Sequence, residues 1–253
     1  ECERKPGRTV QQSTIYSHMI RLKAYLKRAS ERCLLWNLKP SDVPINKTIL
    51  RNPVYLTREE VKQVFVELDT RVNEALLKKN KRDYKYAAYM LRAAVHLLYA
   101  SGLRNAELRS LKPIDLDMQN LRWTVYGKGW KYNNFTFTLQ AREAIEDFIV
   151  FKKRYYINSP RHMEYIFTSA NFGRPVTATG LNQALKELGE YINLPKRLTA
   201  HVFRHTCATT LLNNWANIRE VQEKLRHVNL DTTALYTHVT NSRLSEITNW
   251  LEI

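Results

Sequence analysis

The chain has little of the glycine, proline and cysteine that mark fibrous, low-complexity or disulfide-rich proteins. Its 253 residues include 7 glycines, 8 prolines and 3 cysteines, and that composition excludes a collagen-like or low-complexity chain. The cysteines, Cys2, Cys33 and Cys207, form no C-x-x-C pair and no disulfide framework, which favours a reducing cytoplasm. Cys207 lies in an apolar helical stretch and is expected to be a small buried residue.

Long apolar runs are missing as well. No stretch approaches the roughly 18 consecutive apolar residues of a transmembrane helix. The segment from Glu1 to Arg8 lacks the apolar core of a signal peptide. We therefore expect a cytoplasmic protein with no membrane partner.

Acidic residues are scarce relative to basic ones. The sequence has 40 Lys and Arg against 24 Asp and Glu, which gives a formal net charge of +16. A domain so basic usually binds a polyanion, and nucleic acid is the most common one. Charge alone leaves a second interpretation open, that of a basic protein that is merely soluble.

The spacing of apolar residues predicts a mostly α protein with a small antiparallel β-sheet, an α+β fold. Thr57 and Glu60 form a T-x-x-E capping box that opens a helix. Apolar and polar residues alternate over 121–125 and 135–139, which predicts a β-hairpin with Lys128 and Lys131 at its turn. The loop-like stretch 37–53 is the candidate linker. Further helices are predicted over 13–33, 84–101, 140–155, 178–192, 199–214, 217–226 and 242–252.

Histidine and arginine side chains cluster between positions 201 and 205. His201 and Arg204 are three residues apart and share a helix face, where they could hold a phosphate, since arginine offers a planar fork to its oxygens. His201 and His205 have the spacing of a metal-binding pair. A zinc protease would need glutamate at position 202, which is Val202. Metal binding is therefore not expected.

Two other candidates have simple structural interpretations when taken singly. Arg104 could be a surface ion-pair partner of Glu107, three residues further along the chain. Tyr236 could be a core tyrosine with a polar tip.

Five motifs taken together resemble those of the tyrosine site-specific recombinases, the phage-integrase and Xer-like family. The resemblance covers about residues 55–240, in the family's order. The family motifs T/S-G-L-R-x-x-E, G-K-G-x-K, H-x-L-R-H, L-G-H and T-x-x-Y-x-H fall on 101–107, 127–131, 201–205, 225–227 and 233–238.

The resemblance implies that the chain binds and activates a DNA phosphate. Arg104 and Arg204 would hold the non-bridging oxygens, helped by His201 and His227. A phosphodiester resists nucleophiles because it is an anion, so this positive charge would stabilise the transition state. No metal, other cofactor or ATP is required, because two guanidiniums replace the charge of a metal.

The same resemblance implies a covalent intermediate. Tyr236 would attack phosphorus to form a 3′-phosphotyrosyl link, and Lys128 would protonate the leaving 5′-oxygen. Either His201 or His227 would exchange the tyrosine proton. Glu107 and His205 would support these groups, and Lys131 and Arg226 would bind DNA.

Two features depart from the family pattern. Arg226 stands where the family usually has glycine. Residues 13–50 resemble only the last helices of the family's helical core-binding domain, so the chain is expected to begin partway through that domain. The predicted division is a partial core-binding segment with linker, a catalytic domain and a C-terminal helix, at 1–54, 55–240 and 241–253.

The resemblance also implies partners. They are double-stranded DNA and identical subunits, which would assemble as a homotetramer on two DNA sites and be monomeric or dimeric when free. Subunits of the family exchange C-terminal segments, and the apolar face of 242–252 suits that exchange. Packing of this helix on its own domain is an equal alternative.

Three other functions stay open on the sequence. A type IB topoisomerase uses the same chemistry without pairing two sites, but the G-K-G hairpin and Y-x-H motif favour a recombinase. A catalytically idle DNA-binding accessory factor should have an altered arginine, lysine or tyrosine, and none is altered. A metal-dependent nuclease needs a carboxylate cluster that the sequence lacks. Phe203 stands where the H-x-L-R-H motif has leucine, and Arg226 stands where the family usually has glycine. Among recombinases, these two departures favour the integrase of a mobile genetic element over a chromosome-dimer resolvase.

Overall fold

The computed structural model divides the chain into two compact units, Glu1–Arg51 and Asn52–Ile253. The residues that it describes are 12–32, 39–44, 53–78, 82–126, 132–156, 163–170, 173–214 and 216–226. Within them, no helix has the length and apolar character needed to cross a membrane. The predicted three-part division stays a prediction, because 227–253 lie outside this part of the chain.

The first unit contains one long helix. Helix α1 spans Gln12–Glu31, which confirms the helix predicted over 13–33, and a short 3-10 helix follows at Pro40–Asp42. Leu26 and Ala29 of α1 and the nearby Val43 are buried. The 3-10 helix contacts α1.

The second unit is mostly helical with a three-stranded antiparallel sheet, as predicted. Helix α3 lies at its centre and packs against α2, α5 and α7. The helices are α2 (Arg58–Leu77), α3 (Arg82–Ser101), α4 (Asn105–Arg109), α5 (Leu139–Tyr155), α6 (Ala178–Tyr191), α7 (Ala200–Asn213) and α8 (Ile218–Leu225). The strands are β1 (Leu116–Asp117), β2 (Arg122–Tyr126) and β3 (Tyr132–Thr136), and a 3-10 helix at Pro113–Asp115 precedes β1.

Helix α2 begins at the predicted capping box. The backbone N–H of Glu60 donates to Thr57 Oγ1 at 3.2 Å, and the N–H of Thr57 donates to Glu60 Oε2 at 2.7 Å. Two backbone donors that a helix start leaves without partners are thereby satisfied. The face of α2 that carries Val61, Val64 and Leu68 is buried against the core.

The sheet has the strand order β1-β2-β3. Trp123 pairs with Phe135 across β2 and β3, and their rings meet edge to face with centroids 5.0 Å apart. The prediction that Leu139 ends the second strand is wrong. Thr138 instead caps α5, with its Oγ1 accepting from the N–H of Ala141 at 3.2 Å, and Leu139 is the first residue of that helix.

Helices α7 and α8 pack through a small apolar cluster of their own. Cys207 is buried there, as predicted, together with Leu212 of α7 and Val221 and Leu225 of α8. This cluster fixes the C-terminal end of α8 against α7. Arg226, which directly follows α8, is therefore held close to α7, the helix that carries His201 and Arg204.

Candidate active site

The site is built on a sharp turn at the end of the central helix. Gly102 follows α3 with φ +63, and its N–H donates to the carbonyl of Leu98 at 2.9 Å. A Cβ at this position would lie 2.4 Å from Leu225 Cδ2 and 3.3 Å from Cys207 Sγ. Both the positive φ and the close approach of α7 and α8 therefore require glycine.

Arg104 leaves this turn as the residue that precedes α4. Its N–H donates to Glu107 Oε2 at 2.8 Å, so Glu107 caps the start of the helix. Its guanidinium donates from Nη1 to Glu107 Oε1 at 3.0 Å and from Nη2 to the carbonyl of Arg226 at 3.3 Å. The predicted ion pair with Glu107 is therefore present, and 41% of the Arg104 side chain still faces solvent.

Arg204 lies on α7 and is buried, with only 4% of the residue exposed. Its Nη1 donates to the carbonyl of Gly102 at 2.5 Å, and its Nη2 donates to the carbonyl of Leu225. The side chain thus joins the turn after α3 to the end of α8. A buried positive charge is tolerated because carbonyl dipoles point at it.

The two arginines bind consecutive carbonyl groups. Arg204 holds the carbonyl of Leu225, and Arg104 holds that of Arg226, at the C-terminal end of α8. The last carbonyls of a helix have no partner within it and carry its negative dipole end, which suits cations. Two guanidiniums that are far apart in the sequence are in this way brought to one backbone turn.

The two histidines of α7 have different environments. His201 is exposed at the first turn of the helix, one turn before Arg204. His205 is partly buried, and burial lowers its pKa, with His201 and Arg204 acting in the same direction. His205 is therefore neutral at pH 7. His201 is the histidine that stands open to a ligand.

Arg226 ends α8 in the left-handed region, with φ 53 and ψ 52. Its Nη2 lies 2.8 Å from Glu107 Oε1, and its guanidinium carbon lies 3.6 Å from the centroid of the Phe135 ring. Burial lowers its pKa, and repulsion by Arg104 adds to that effect while Glu107 opposes it. The side chain therefore packs against Glu107 and β3, a placement that the sequence did not indicate.

A second contact joins β3 to the end of α8. Lys224 Nζ donates to Thr136 Oγ1 at 2.9 Å. The segment that carries Lys128 and Lys131 connects β2 to this strand, and the two strands stay paired as far as Tyr126 and Tyr132. The contact had no signal in the sequence, because a lysine near a helix end is usually solvated.

Four predicted site residues lie outside the described part of the chain: Lys128, Lys131, His227 and Tyr236. The structure brings together Arg104, Glu107, Arg204 and Arg226, and it places His201 on the helix that carries Arg204. Across the residues that are described, no three His, Cys, Asp or Glu side chains are grouped as a metal site would require. The arrangement that the structure describes is suited to binding an anion.

Comparison with protein families gives one match over most of the chain. The sequence model of the group described as "Phage integrase family" matches residues 56–243. A tyrosine recombinase XerC of Lactobacillus leichmannii is 28% identical over 239 residues, which are 94% of this chain and 76% of that protein. A tyrosine recombinase XerD of Halalkalibacterium halodurans is 35% identical over 208 residues, 81% of this chain and 64% of that protein.

Solved structures show the same fold. The XerH site-specific recombinase, in a post-cleavage complex with a palindromic difH substrate, aligns with a TM-score of 0.71 at 21% identity, over 95% of this chain and 68% of the other. The Tn1549 transposon integrase with transposon end DNA aligns with a TM-score of 0.65 at 21% identity, over 94% of this chain and 80% of the other. The predicted fold class and family resemblance are confirmed.

Proposed function

This chain belongs to the phage integrase family, the tyrosine recombinases, and from that membership we propose that it cuts and rejoins DNA at specific sites through a covalent 3′-phosphotyrosyl link to Tyr236. The observation that carries the proposal is the pair of arginines bound to consecutive carbonyls at the end of α8. Immediately after those carbonyls, the chain continues into His227 and then Tyr236.

The positive charge of the site is the first element of the mechanism. Arg104, with 41% of its side chain exposed, offers guanidinium N–H groups to the non-bridging oxygens of a phosphate. Arg204 lies behind it, and its buried charge acts over a short distance in a region of low dielectric constant. His201, exposed one turn before Arg204, adds a further donor, and His227 is the fourth group proposed for the phosphate. This arrangement stabilises the negative charge on the non-bridging oxygens in the transition state.

The covalent step follows from these groups. The Tyr236 oxygen attacks phosphorus while the bond from phosphorus to the 5′-oxygen breaks. Lys128 gives its proton to that oxygen, and the tyrosine proton passes to a histidine. In the second step the 5′-hydroxyl of another strand attacks the phosphotyrosine and gives its proton to Lys128. The bond from phosphorus to the tyrosine oxygen breaks, and the histidine returns the proton to that oxygen. The number of phosphodiester bonds is conserved, so the sequence of steps consumes neither ATP nor a metal-bound hydroxide.

DNA is the partner that these observations support. The net charge is +16, and the aligned XerH and Tn1549 structures are described as complexes with DNA. Assembly as a homotetramer on two sites, with Lys131 contacting DNA and the C-terminal helix exchanged between subunits, belongs to the proposal. So do the cytoplasmic location and the role in moving a mobile genetic element. The similarity to named recombinases and an integrase favours this activity over that of a type IB topoisomerase or an idle accessory factor.

Covalent trapping tests the proposal. The protein is incubated in EDTA with nicked duplexes drawn from the DNA that flanks its gene. Denaturing gels and peptide mass spectrometry then locate any adduct. We expect an adduct on Tyr236, none with Tyr236→Phe, and a loss of several orders of magnitude in cleavage with Arg104→Ala. Normal cleavage by either variant, or activity that appears only with added Mg²⁺, contradicts the mechanism.

A further inference from the structure

The end of α8 combines an unfavourable backbone conformation with an inward-facing charge. Arg226 has φ 53 and ψ 52, a region that residues other than glycine, asparagine and aspartate enter only at a cost. Its side chain is only 20% exposed, although an arginine in this position would be easy to hydrate. Both costs fall on the residue that replaces the family's usual glycine. The side chain is therefore expected to contribute something that glycine cannot.

The contacts of Arg226 show what that contribution is. Its Nη2 lies 2.8 Å from Glu107 Oε1, the same oxygen that accepts from Arg104 Nη1 at 3.0 Å. The ring of Phe135, 3.6 Å from the guanidinium carbon, holds the other side of the group against β3. One carboxylate, 17% exposed, therefore lies between two guanidiniums.

The net charge of the trio formed by Arg104, Glu107 and Arg226 determines the electrostatic potential at a bound phosphate. Arg104 and Arg226 contribute two positive charges and Glu107 one negative charge, so the trio carries one net positive charge. Without Arg226, the charge of Glu107 would cancel that of Arg104. Charges within a few ångströms of each other in a partly buried site are weakly screened, so the cancellation would reach the phosphate.

We infer that Arg226 is a positioning residue for strand transfer. It neutralises the negative charge of Glu107, the carboxylate that holds Arg104 in place. The positive charge of Arg104 then acts undiminished on the scissile phosphate. The inference rests on the proposed function. It replaces the expectation that Arg226 binds DNA directly. It also assigns Glu107 two tasks, capping α4 through Oε2 and fixing both guanidiniums through Oε1.

Single-turnover cleavage with four variants tests this role. The assay uses nicked duplex under saturating protein. Arg226→Gln keeps roughly the size of the side chain without its charge. We expect cleavage to slow by about ten- to a hundredfold, less than the roughly hundred- to thousandfold cost of removing a direct contact to the transition state, because Arg226 acts through Glu107. Arg226→Lys should retain most of the rate. The double variant Arg226→Gln/Glu107→Gln restores the net positive charge, and we expect it to recover about tenfold of the loss. Glu107→Gln alone supplies the fourth corner of the cycle.

The matched control is an arginine with the same kinds of partner elsewhere in the second unit. Arg71 on α2 binds Glu67 at 2.7 Å, and its guanidinium carbon lies 4.9 Å from the centroid of the Tyr191 ring. Arg71→Gln removes one positive charge, one ion pair and one ring contact, and it should cleave at the wild-type rate. An equal loss in Arg71→Gln would assign the effect to total charge and overturn the inference.

The remaining outcomes separate the inference from the proposed function. A wild-type chain that forms no adduct overturns both. A wild-type chain that cleaves while the double variant is as slow as Arg226→Gln overturns the inference alone. So does a weaker DNA affinity of Arg226→Gln whose salt dependence falls by about one counterion, since that result would mean direct contact with a DNA phosphate.

Discussion

Gly102→Ala perturbs the turn on which the whole arginine arrangement depends. The new methyl group would sit at φ +63, 2.4 Å from Leu225 Cδ2 and 3.3 Å from Cys207 Sγ. A left-handed alanine costs about 1–2 kcal/mol, and forcing α7 and α8 apart costs about 1–3 kcal/mol. We expect the free energy of unfolding to fall by about 2–5 kcal/mol, the sum of these costs.

Activity should fall in the fraction that remains folded. The carbonyl of Gly102 accepts from Arg204 Nη1, and Leu225, which the methyl group would push, supplies the other carbonyl partner of Arg204. Moving either acceptor moves the guanidinium. Urea unfolding followed by circular dichroism measures the stability. Cleavage of nicked duplex, measured well below the unfolding temperature, gives the activity.

Two variants check the source of the effect. Gly180→Ala, near the start of α6, places its Cβ 3.0 Å from Thr177 Oγ1, and alanine favours a helix, so we expect a change within about 1 kcal/mol. Leu225→Ala removes the atom that clashes, so the cost of Gly102→Ala should be smaller in that background. If the free energy of unfolding of Gly102→Ala lies within about 1 kcal/mol of the wild-type value and the variant cleaves normally, the close approach at this turn does not determine the geometry of the site.

Three further variants probe buried basic side chains. Arg204→Lys should lower the cleavage rate by about a hundredfold or more, because one ammonium cannot hold two diverging carbonyls as the guanidinium does. DNA affinity should stay within a few-fold of wild type. Single-turnover assays measure the cleavage rate, and salt titrations measure the affinity. Burial lowers the pKa of Lys152 to about 7 from 10.5. Between these two pH values the unfolded chain binds one more proton than the folded chain, so the wild-type free energy of unfolding should rise with pH in that range. Urea titrations of Lys152→Met should lack this part of the rise. Burial lowers the pKa of His96 to about 4 from 6.5. The unfolded chain therefore binds a proton at this histidine before the folded chain does, and the wild-type free energy of unfolding should fall as the pH falls from 6.5 to about 4. In the same titration, the free energy of unfolding of His96→Phe should fall less.

Most of the fold could be predicted because it is determined locally. The capping box of Thr57 and Glu60 and the apolar face that follows it depend only on neighbours along the chain, and α2 begins where they indicate. The alternation over 135–139 predicts a strand through Leu139, but Thr138 caps α5 and the helix begins at Leu139. Helix α4, with five residues, is shorter than any periodic pattern can reveal.

The site was harder to predict, because its contacts join distant segments. The sequence identified Arg104, Arg204 and Glu107 through motifs, but not the carbonyls that the arginines bind. The alternation over 135–139 predicts a strand at Phe135, but it does not indicate that the ring contacts Arg226, 91 positions further along the printed sequence. Such pairs exist only once the chain has folded, and a motif records that a residue is needed without recording what it touches. The roles of Lys128 and Tyr236 stay predictions.

The main-chain acceptors at the end of α8 also bear on how such a protein can diverge. Every residue type supplies a carbonyl, so substitutions at positions 225 and 226 leave the acceptors of Arg204 and Arg104 in place as long as the backbone keeps its path. The arginines, by contrast, have no equivalent among the other side chains. The anchoring of the two arginines therefore depends on the course of one turn and not on which side chains stand at positions 225 and 226. A glycine in place of Arg226 would keep this anchoring and lose the contact with Glu107.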